Sequence, residues 1–378
     1  MIPFTKTTIT DIEKSFINEA LINNKICGDG KFTKKCTDWF KENCNIENFL
    51  LTTSGTHSLE LAALLAELKE GDEVLVPSYT FVSTADAILL RGAKPVFVDI
   101  DKRTFNMDVS KLEEKITPKT KAIFPVHYAG VACDMDEIMK IAKKYNLIVV
   151  EDAAQGVLAY YKNQPLGTIG DYGCYSFHET KNYVMGEGGA IIVKNNKKYE
   201  DAEIIREKGT NRSQFIRGDV DKYTWHKVGS SYLPSDILAA LLYGQLTRAE
   251  EIMSKRMKIW NFYNDELEPL EKQEKLIRPY IPEYAKHNAH MYYIVLPTEK
   301  IRNALMDSLK KKGISATFHY IPLHTSPMGQ KLGCKEGDLP VTEEYAGRLL
   351  RLPLYYDLDE ENQKYICNSI KEILDKIV

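Results

Sequence analysis

At 378 residues the chain is long for one hydrophobic core and is expected to divide into a larger and a smaller unit. Charged residues make up 27% and the formal net charge is -3, so neither nucleic acid nor a charged membrane surface is indicated as a partner. No uninterrupted apolar span is long enough to cross a bilayer, and the start Met1-Ile2-Pro3-Phe4-Thr5-Lys6 shows no basic region followed by an apolar run. The expectation is therefore a soluble, cytoplasmic protein.

Residues 1–48 are polar and mostly helical in pattern, broken by a turn at Cys27-Gly28-Asp29-Gly30. From Phe49 onward, apolar runs bounded by Gly, Pro and Asp alternate with amphipathic stretches. The strand candidates are Glu73–Val76, Pro95–Asp99, Lys121–Val126 and Leu147–Glu151. Between the last two, Asp136–Lys144 repeats Ile138, Met139, Ile141 and Ala142 at helical spacing. This alternation predicts an α/β fold with a mostly parallel central sheet flanked by helices. A further strand is expected at Gly188–Val193, then a charged helix at Tyr199–Lys208, and then a polar segment, Gly209–Gly229, too long for an ordinary connection. A long helical region follows from Pro234. The large unit is expected to cover residues 1–245 and a smaller α+β unit residues 246–378, with strands at Met291–Leu296 and Ala316–Tyr320, a helix at Lys300–Lys312 and a closing helix from Glu360. The seven cysteines, Cys27, Cys36, Cys44, Cys133, Cys174, Cys334 and Cys367, are odd in number and lack CxxC spacing, as expected of reduced thiols.

In an open parallel sheet, ligands collect at the carboxyl ends of the strands. Asp152 stands just past the apolar run Leu147–Val150, and Lys181 follows the aromatic, strand-like run Cys174-Tyr175-Ser176-Phe177. Either alone is ordinary, the aspartate as a turn cap and the lysine as a surface charge. Together they are the pair that pyridoxal 5'-phosphate requires: an amine to form a Schiff base with its aldehyde and a carboxylate to keep its pyridine nitrogen protonated. Gln155, after two small alanines, can donate to the phenolate oxygen. The run Thr52–Ser58 opens a helix with Gly55 and Thr56, which serves either as an ordinary cap or as a phosphate cradle to which Ser176 adds a hydroxyl. Phe81, past another strand end, is placed to stack on the ring, although a core aromatic is the plainer reading. Gly186-Glu187-Gly188-Gly189 reads as a tight turn nearby. His319, Tyr320 and His324 are better suited to substrate hydrogen bonding than to a metal, for which no ligand pattern exists.

Taken in order, Ser54-Gly55-Thr56, Pro77–Phe81, Pro125–Gly130, Glu151–Gln155 and Ser176–Lys181 resemble the DegT/DnrJ/EryC1/StrS family of nucleotide-sugar aminotransferases over nearly the whole chain. The runs Ser176–Tyr183, Arg206–Phe215 and Phe318–His324 are similar to its dTDP-4-amino-4,6-dideoxygalactose transaminase branch. The resemblance implies a fold-type I enzyme that works as a homodimer with shared active sites and uses pyridoxal 5'-phosphate. Lys181 would be the Schiff-base lysine, Asp152 the pyridine partner, Gln155 the phenolic donor and Phe81 the ring stacker, with Gly55, Thr56 and Ser176 on the phosphate. It also implies glutamate as amino donor and C4 of a dTDP-4-keto-6-deoxyglucose as acceptor. The alternatives are a 3-keto or UDP-linked ketosugar, a sugar dehydratase, against which Lys181 argues because that group looks to have histidine there, and a nucleotide-sugar-binding regulator without turnover. One departure stands out: Leu233 occupies the place where many members carry an asparagine that reaches the partner's phosphate, which leaves Ser230 or Ser231 as substitutes.

Overall fold

The computed structural model describes residues 1–378. Its strands are β1 Phe49–Thr52, β2 Glu73–Pro77, β3 Lys94–Val98, β4 Thr120–Ile123, β5 Ile148–Asp152, β6 Tyr160–Tyr161, β7 Gln164–Pro165, β8 Tyr172–Ser176, β9 Gly189–Val193, β10 Ala285–Lys286, β11 Tyr292–Val295 and β12 Leu349–Leu352. Seven of them form the central sheet in the order β1-β9-β8-β5-β4-β2-β3, with β5 in the middle. β5 runs parallel to both its neighbours, and β9 is antiparallel to β8 and β1. The fold is therefore α/β with a mostly parallel sheet, as its residue pattern predicts.

The helices that matter here are α1 Asp11–Ile22, α2 Lys31–Cys44, α3 Gly55–Leu65, α4 Val82–Leu89, α5 Met135–Tyr145, α6 Asn196–Arg206, α7 Arg212–Arg217, α8 Asp236–Thr247, α9 Ala249–Lys272 and α10 Glu299–Lys311, with a closing helix at Glu360–Ile377. Their ends follow local chemistry. Asp134 caps α5 at the Glu137 N–H, and Asn146 ends it in the left-handed conformation. Thr10 and Glu13 form a reciprocal capping box on α1. Because side chains alternate along a strand, Val149 joins the apolar layer containing Leu51, Leu75, Ile123 and the α5 residues Ile138 and Ala142. Val150 joins the opposite layer, with Leu50, Val74 and the α3 residues Leu61 and Ala62. Both faces of the sheet are thus covered, which is what the apolar run Ile148-Val149-Val150 that opens β5 requires.

A separate core lies around the antiparallel pair β11–β12, where Tyr292, Ile294, Leu350 and Leu352 pack with Leu305 and Leu309 of α10 and with Ile366 and Ile370 of the closing helix. α9 bridges the two: Ala249 and Ile252 belong to the sheet's layer, while Ile259 and Tyr263 belong to the second core. Ile2 joins the second core as well, its backbone bonded to Gly313 and Ser315.

Several expected elements differ. Ala316–Tyr320 is not a strand; Thr317 alone bridges to Arg351, and the backbone leaves the pleat so that His319 and Tyr320 both line one cavity. The strand expected to reach Val126 stops at Ile123, short of Pro125, which has no N–H to donate. The short strands β1 and β12 escaped detection, and the polar segment Gly209–Gly229 contains α7.

Under the sheet's carboxyl edge, Glu151 is fully buried. It accepts the N–H groups of Gly167, Ile169 and Gly170 at 2.9, 2.7 and 2.7 Å and the His127 Nε2 at 2.8 Å. The Cys133 N–H points at His127 Nδ1, 3.1 Å away, which makes Nδ1 the acceptor and leaves Nε2 to donate to Glu151. One carboxylate thus ties the loop after β4 to the turn between β7 and β8. Glu151→Ala strands four buried donors and is expected to cost roughly 3–5 kcal/mol, read as a lower urea midpoint of unfolding. An unchanged midpoint would mean that water replaces the carboxylate at no cost.

Candidate active site

The site forms where β1, β2, β4, β5 and β8 end. β1 runs into α3 through Ser54, which caps the helix by accepting the His57 N–H. Gly55 starts the helix against Ser176: a Cβ there would lie 2.8 Å from the Ser176 Cβ, so any side chain would push α3 away from β8. Thr56 and Ser83 hydroxyls meet at 2.7 Å, which brings the start of α4 beside the start of α3. Two helix N-termini and the hydroxyls of Thr56, Ser83 and Ser176 line one end of the cavity, a ready site for a phosphate.

At the end of β5 the Asp152 carboxylate is only 5% exposed. Its Oδ2 accepts from Thr84 Oγ1 at 2.7 Å and its Oδ1 from the Ala154 N–H at 3.1 Å. Gln155 is oriented without ambiguity: its Oε1 accepts the Ala129 N–H at 2.6 Å, so its Nε2 must be the donor, here to the Tyr320 hydroxyl at 3.2 Å. Lys181 lies on the loop between β8 and β9, which folds back through the bonds Phe177 N–H to Gly188 O and Met185 N–H to Phe177 O. Burial draws the Lys181 amine down to about 8; the Asp152 charge opposes that shift and Arg351 adds to it. Such an amine is a nucleophile near neutral pH.

Gly55, Thr56, Ser83, Asp152, Gln155, Ser176 and Lys181 line one cavity of about 530 Å³. Phe81, 56% exposed, stands at it with its ring 6.5 Å from that of Tyr320. The second unit contributes His290, His319, Tyr320, Arg256 and Arg351. His319 Nδ1 meets the Tyr128 hydroxyl at 3.1 Å, and His290 Nδ1 meets Asn182 Oδ1 at 3.0 Å. Burial first, and then the neighbouring cations, hold both imidazoles well below the usual histidine range, so both are neutral at pH 7. Glu187, in the turn at Gly186–Gly189, lies on the lining too.

Of the sequence-derived candidates, Gly55, Thr56, Phe81, Asp152, Gln155, Ser176, Lys181, His319 and Tyr320 all converge on this cavity. His324 does not. It is fully buried elsewhere, its Nδ1 meeting Ser78 Oγ at 2.7 Å and its Nε2 meeting Glu343 Oε1 at 2.8 Å. Leu233 lies against Gly28, away from the cavity. Ser83, Thr84, Arg256, His290, Arg351 and Phe4 were not singled out from the sequence. A lone charge inside Leu349-Leu350-Arg351-Leu352 is a usable signal for Arg351. No three His, Cys, Asp or Glu side chains gather as a metal site. No helix is long and apolar enough to cross a membrane.

A lysine with a depressed pKa, a buried carboxylate and a phosphate cradle on the lining of one cavity suit pyridoxal phosphate. The family model for the DegT/DnrJ/EryC1/StrS aminotransferase family matches residues 8–371, and the chain belongs to that family. It is a pyridoxal-phosphate-dependent sugar aminotransferase of fold type I. Among its relatives are GDP-perosamine synthase of Escherichia coli O157:H7, 34% identical with 98% of each chain covered, and the spore coat polysaccharide biosynthesis protein SpsC of Bacillus subtilis (strain 168), 34% identical over 85% of this chain and 84% of that one. Among solved structures, the PMP form of the putative sugar aminotransferase Spr1654 from Streptococcus pneumoniae superposes with a TM-score of 0.93 at 27% identity, covering 100% of both chains.

The Lys181 amine is expected to titrate near pH 8 in the cofactor-free protein, measured as the pH dependence of its labelling by a small electrophile and read by peptide mass spectrometry. Because Asp152 favours the charged amine, Asp152→Asn is expected to move that midpoint lower. A midpoint near the unperturbed lysine value of about 10.4 would show that the amine is solvated.

Proposed function

We propose that the protein moves an amino group from glutamate to C4 of dTDP-4-keto-6-deoxy-D-glucose, giving 2-oxoglutarate and dTDP-4-amino-4,6-dideoxy-D-galactose for cell-surface polysaccharide synthesis. The observation that carries the chemistry is the pairing of the depressed Lys181 amine with the buried Asp152 carboxylate in one cavity. The choice of sugar rests on the runs Ser176–Tyr183 and Phe318–His324.

When bound, pyridoxal phosphate supplies a carbonyl carbon that accepts an amine and a ring that takes up an electron pair. Asp152, anchored by Thr84 and the Ala154 N–H, would keep the ring nitrogen protonated, and Gln155 Nε2 would donate to the phenolic oxygen. The α3 start with Gly55, Thr56 and Ser176, joined by Ser83, would take the phosphate, and Phe81 would cover the ring. Lys181 Nζ would anchor the cofactor, and its amine would take the proton from the amine-bearing carbon of glutamate and give one to C4 of the sugar. His319 and Tyr320, presented from the second unit, orient the sugar hydroxyls.

The carrier has a second reading. The relative aligned over 98% of both chains is named a GDP-perosamine synthase, which favours a GDP-linked 4-ketosugar as the competing acceptor. Amination of dTDP-, GDP- and UDP-linked 4-ketosugars and of a 3-ketosugar, with glutamate as donor and coupling constants read at C4 of the product, separates them. Activity confined to the GDP sugar or to the 3-ketosugar sinks the proposal. Lys181→Ala is expected to lower turnover by at least about 10³-fold; retained turnover would remove the lysine from the mechanism.

We also propose a homodimer with shared sites. The segment from α7 to Gly229 exposes Phe215, Ile216, Tyr223, Trp225 and Val228, with Trp225 at 74%, a group of apolar side chains that a second copy of the chain could cover. Sedimentation equilibrium is expected to give twice the chain mass, and Trp225→Ser to shift the protein toward monomer. A monomeric wild type at micromolar concentration refutes this.

A further inference from the structure

His324 is fully buried outside the active-site cavity, and so is Ser78, the residue that follows β2. Three bonds join them. The Leu323 N–H donates to the Ser78 carbonyl at 3.0 Å, the His324 N–H donates to Ser78 Oγ at 3.0 Å, and His324 Nδ1 meets the same Oγ at 2.7 Å. On the other side of the ring, Glu343 Oε1 stands 2.8 Å from Nε2. A carboxylate only accepts, so Nε2 carries the proton and Nδ1 is left to accept from the Ser78 hydroxyl. Both ring nitrogens are thus taken, which leaves His324 neither a sugar contact nor a metal ligand.

The partners are themselves fixed. Glu343 Oε1 also accepts the Gly337 N–H at 2.8 Å, and its helix, Pro340–Arg348, is held by Asp99 just past β3, which accepts the Val341 and Thr342 N–H groups at 3.1 and 2.8 Å. Behind the Leu323-His324 backbone there is no slack: a Cβ on Gly329 would lie 2.1 Å from the Leu323 carbonyl oxygen. What this network holds is the segment His319–Leu323, whose His319 and Tyr320 line the cavity. Pro322 fixes its own φ and restricts Ile321, so few rotations remain between Tyr320 and His324 to absorb a shift.

The bonds nearer the cavity are less dependable anchors. Tyr320 is met by Gln155 Nε2 at 3.2 Å, the donor assigned above to the cofactor's phenolic oxygen, and His319 meets the Tyr128 hydroxyl at 3.1 Å. Ser78, by contrast, opens the run that carries Phe81. Through the Thr80 and Thr84 hydroxyls, 2.9 Å apart, that run also reaches the bond to Asp152. We propose that His324 is a positioning residue for the acceptor sugar: through Ser78 and Glu343 it locks the segment His319–Leu323 to the end of β2, so that His319 and Tyr320 keep one spacing from Phe81 and Asp152. The proposal rests on the reading that His319 and Tyr320 orient the sugar. The donor half-reaction, which does not call on that segment, is independent of the lock.

The test uses the cofactor-loaded enzyme, measures the two half-reactions separately, and takes as acceptor whichever ketosugar the wild type aminates. His324→Ala is expected to raise the KM for the ketosugar roughly tenfold with kcat within about threefold, and to leave kcat/KM for the glutamate half-reaction within about threefold of wild type. Ser78→Ala, which deletes a single hydroxyl and carries the test where His324→Ala yields no soluble protein, is expected to do the same. The double variant should be no worse than either single one, because both break one network. Glu343→Gln keeps an acceptor for Nε2 and is expected to stay near wild type. Leu309→Ala, in the core of the second unit, serves as a variant of lowered melting temperature with an unchanged ketosugar KM. A rise in that KM which Leu309→Ala reproduces, or an equal fall in both half-reactions of His324→Ala, is the mark of a loosened fold and overturns the proposal. So does an unchanged ketosugar KM in His324→Ala and Ser78→Ala while His319→Ala and Tyr320→Phe raise it. If His319→Ala and Tyr320→Phe leave it unchanged, the sugar reading of those two residues falls, and the lock falls with it.

Discussion

The site depends on a half-buried lysine amine and a buried aspartate carboxylate brought to one cavity. In solvent the two charges would attract by about 1 kcal/mol and the amine would stay protonated; in the cavity burial withdraws solvation from Lys181 faster than Asp152 can compensate, and the amine titrates near 8. That balance needs both groups held rigidly. Asp152 is clamped by Thr84 from α4 and by the Ala154 N–H, and Lys181 rides on a loop whose backbone is bonded to itself at Phe177. A looser frame would let water in and return the amine to its ordinary protonated state.

The frame is built one level below the chemistry. Glu151, next to Asp152 but pointing to the other face of β5, gathers three backbone N–H groups of the turn before β8 and His127 of the loop after β4, and so fixes the end of β5 that carries Asp152. Gln155 in turn is oriented by the Ala129 N–H. Consecutive residues of one strand thus divide the work, Glu151 holding structure and Asp152 facing the cavity, because the pleat sends their side chains to opposite sides. The second unit closes the other wall, and the N-terminal residues tie it in: Ile2 pairs with Gly313 and Ser315, Phe4 touches Arg351, and the Thr7 hydroxyl reaches the Glu179 carbonyl on the lysine loop.

Much of this was legible locally. β2, β3, β5 and α5 could be read because burial on both faces of a sheet, or on one face of a helix, writes itself into the spacing of apolar residues. Ala316–Tyr320 has a strand's composition but not its pairing. Pro322 follows closely, and the residues His319 and Tyr320 face the cavity in place of alternating. His324 was grouped with them by proximity along the chain. The turn at Pro322-Leu323 instead carries it under Ser78, where Glu343 takes its second nitrogen. Thr84 escaped notice because a threonine in a helix's first turn looks like any other; only its 2.7 Å bond to Asp152 distinguishes it.

The sequence by itself determined the alternation of strands and helices, the aspartate just past an apolar run, the lysine after the aromatic run and the glycine that lets a helix begin against a serine. These are properties of neighbours along the chain, set by periodicity and by side-chain size. Tertiary structure alone decided that the starts of α3 and α4 meet on one cavity, that Lys181 and Asp152 line it together, and that Arg351, from a strand far along the chain, reaches the same cavity while His324 does not. Those outcomes depend on long-range closure of two cores against each other, and no local spacing encodes how two cores meet.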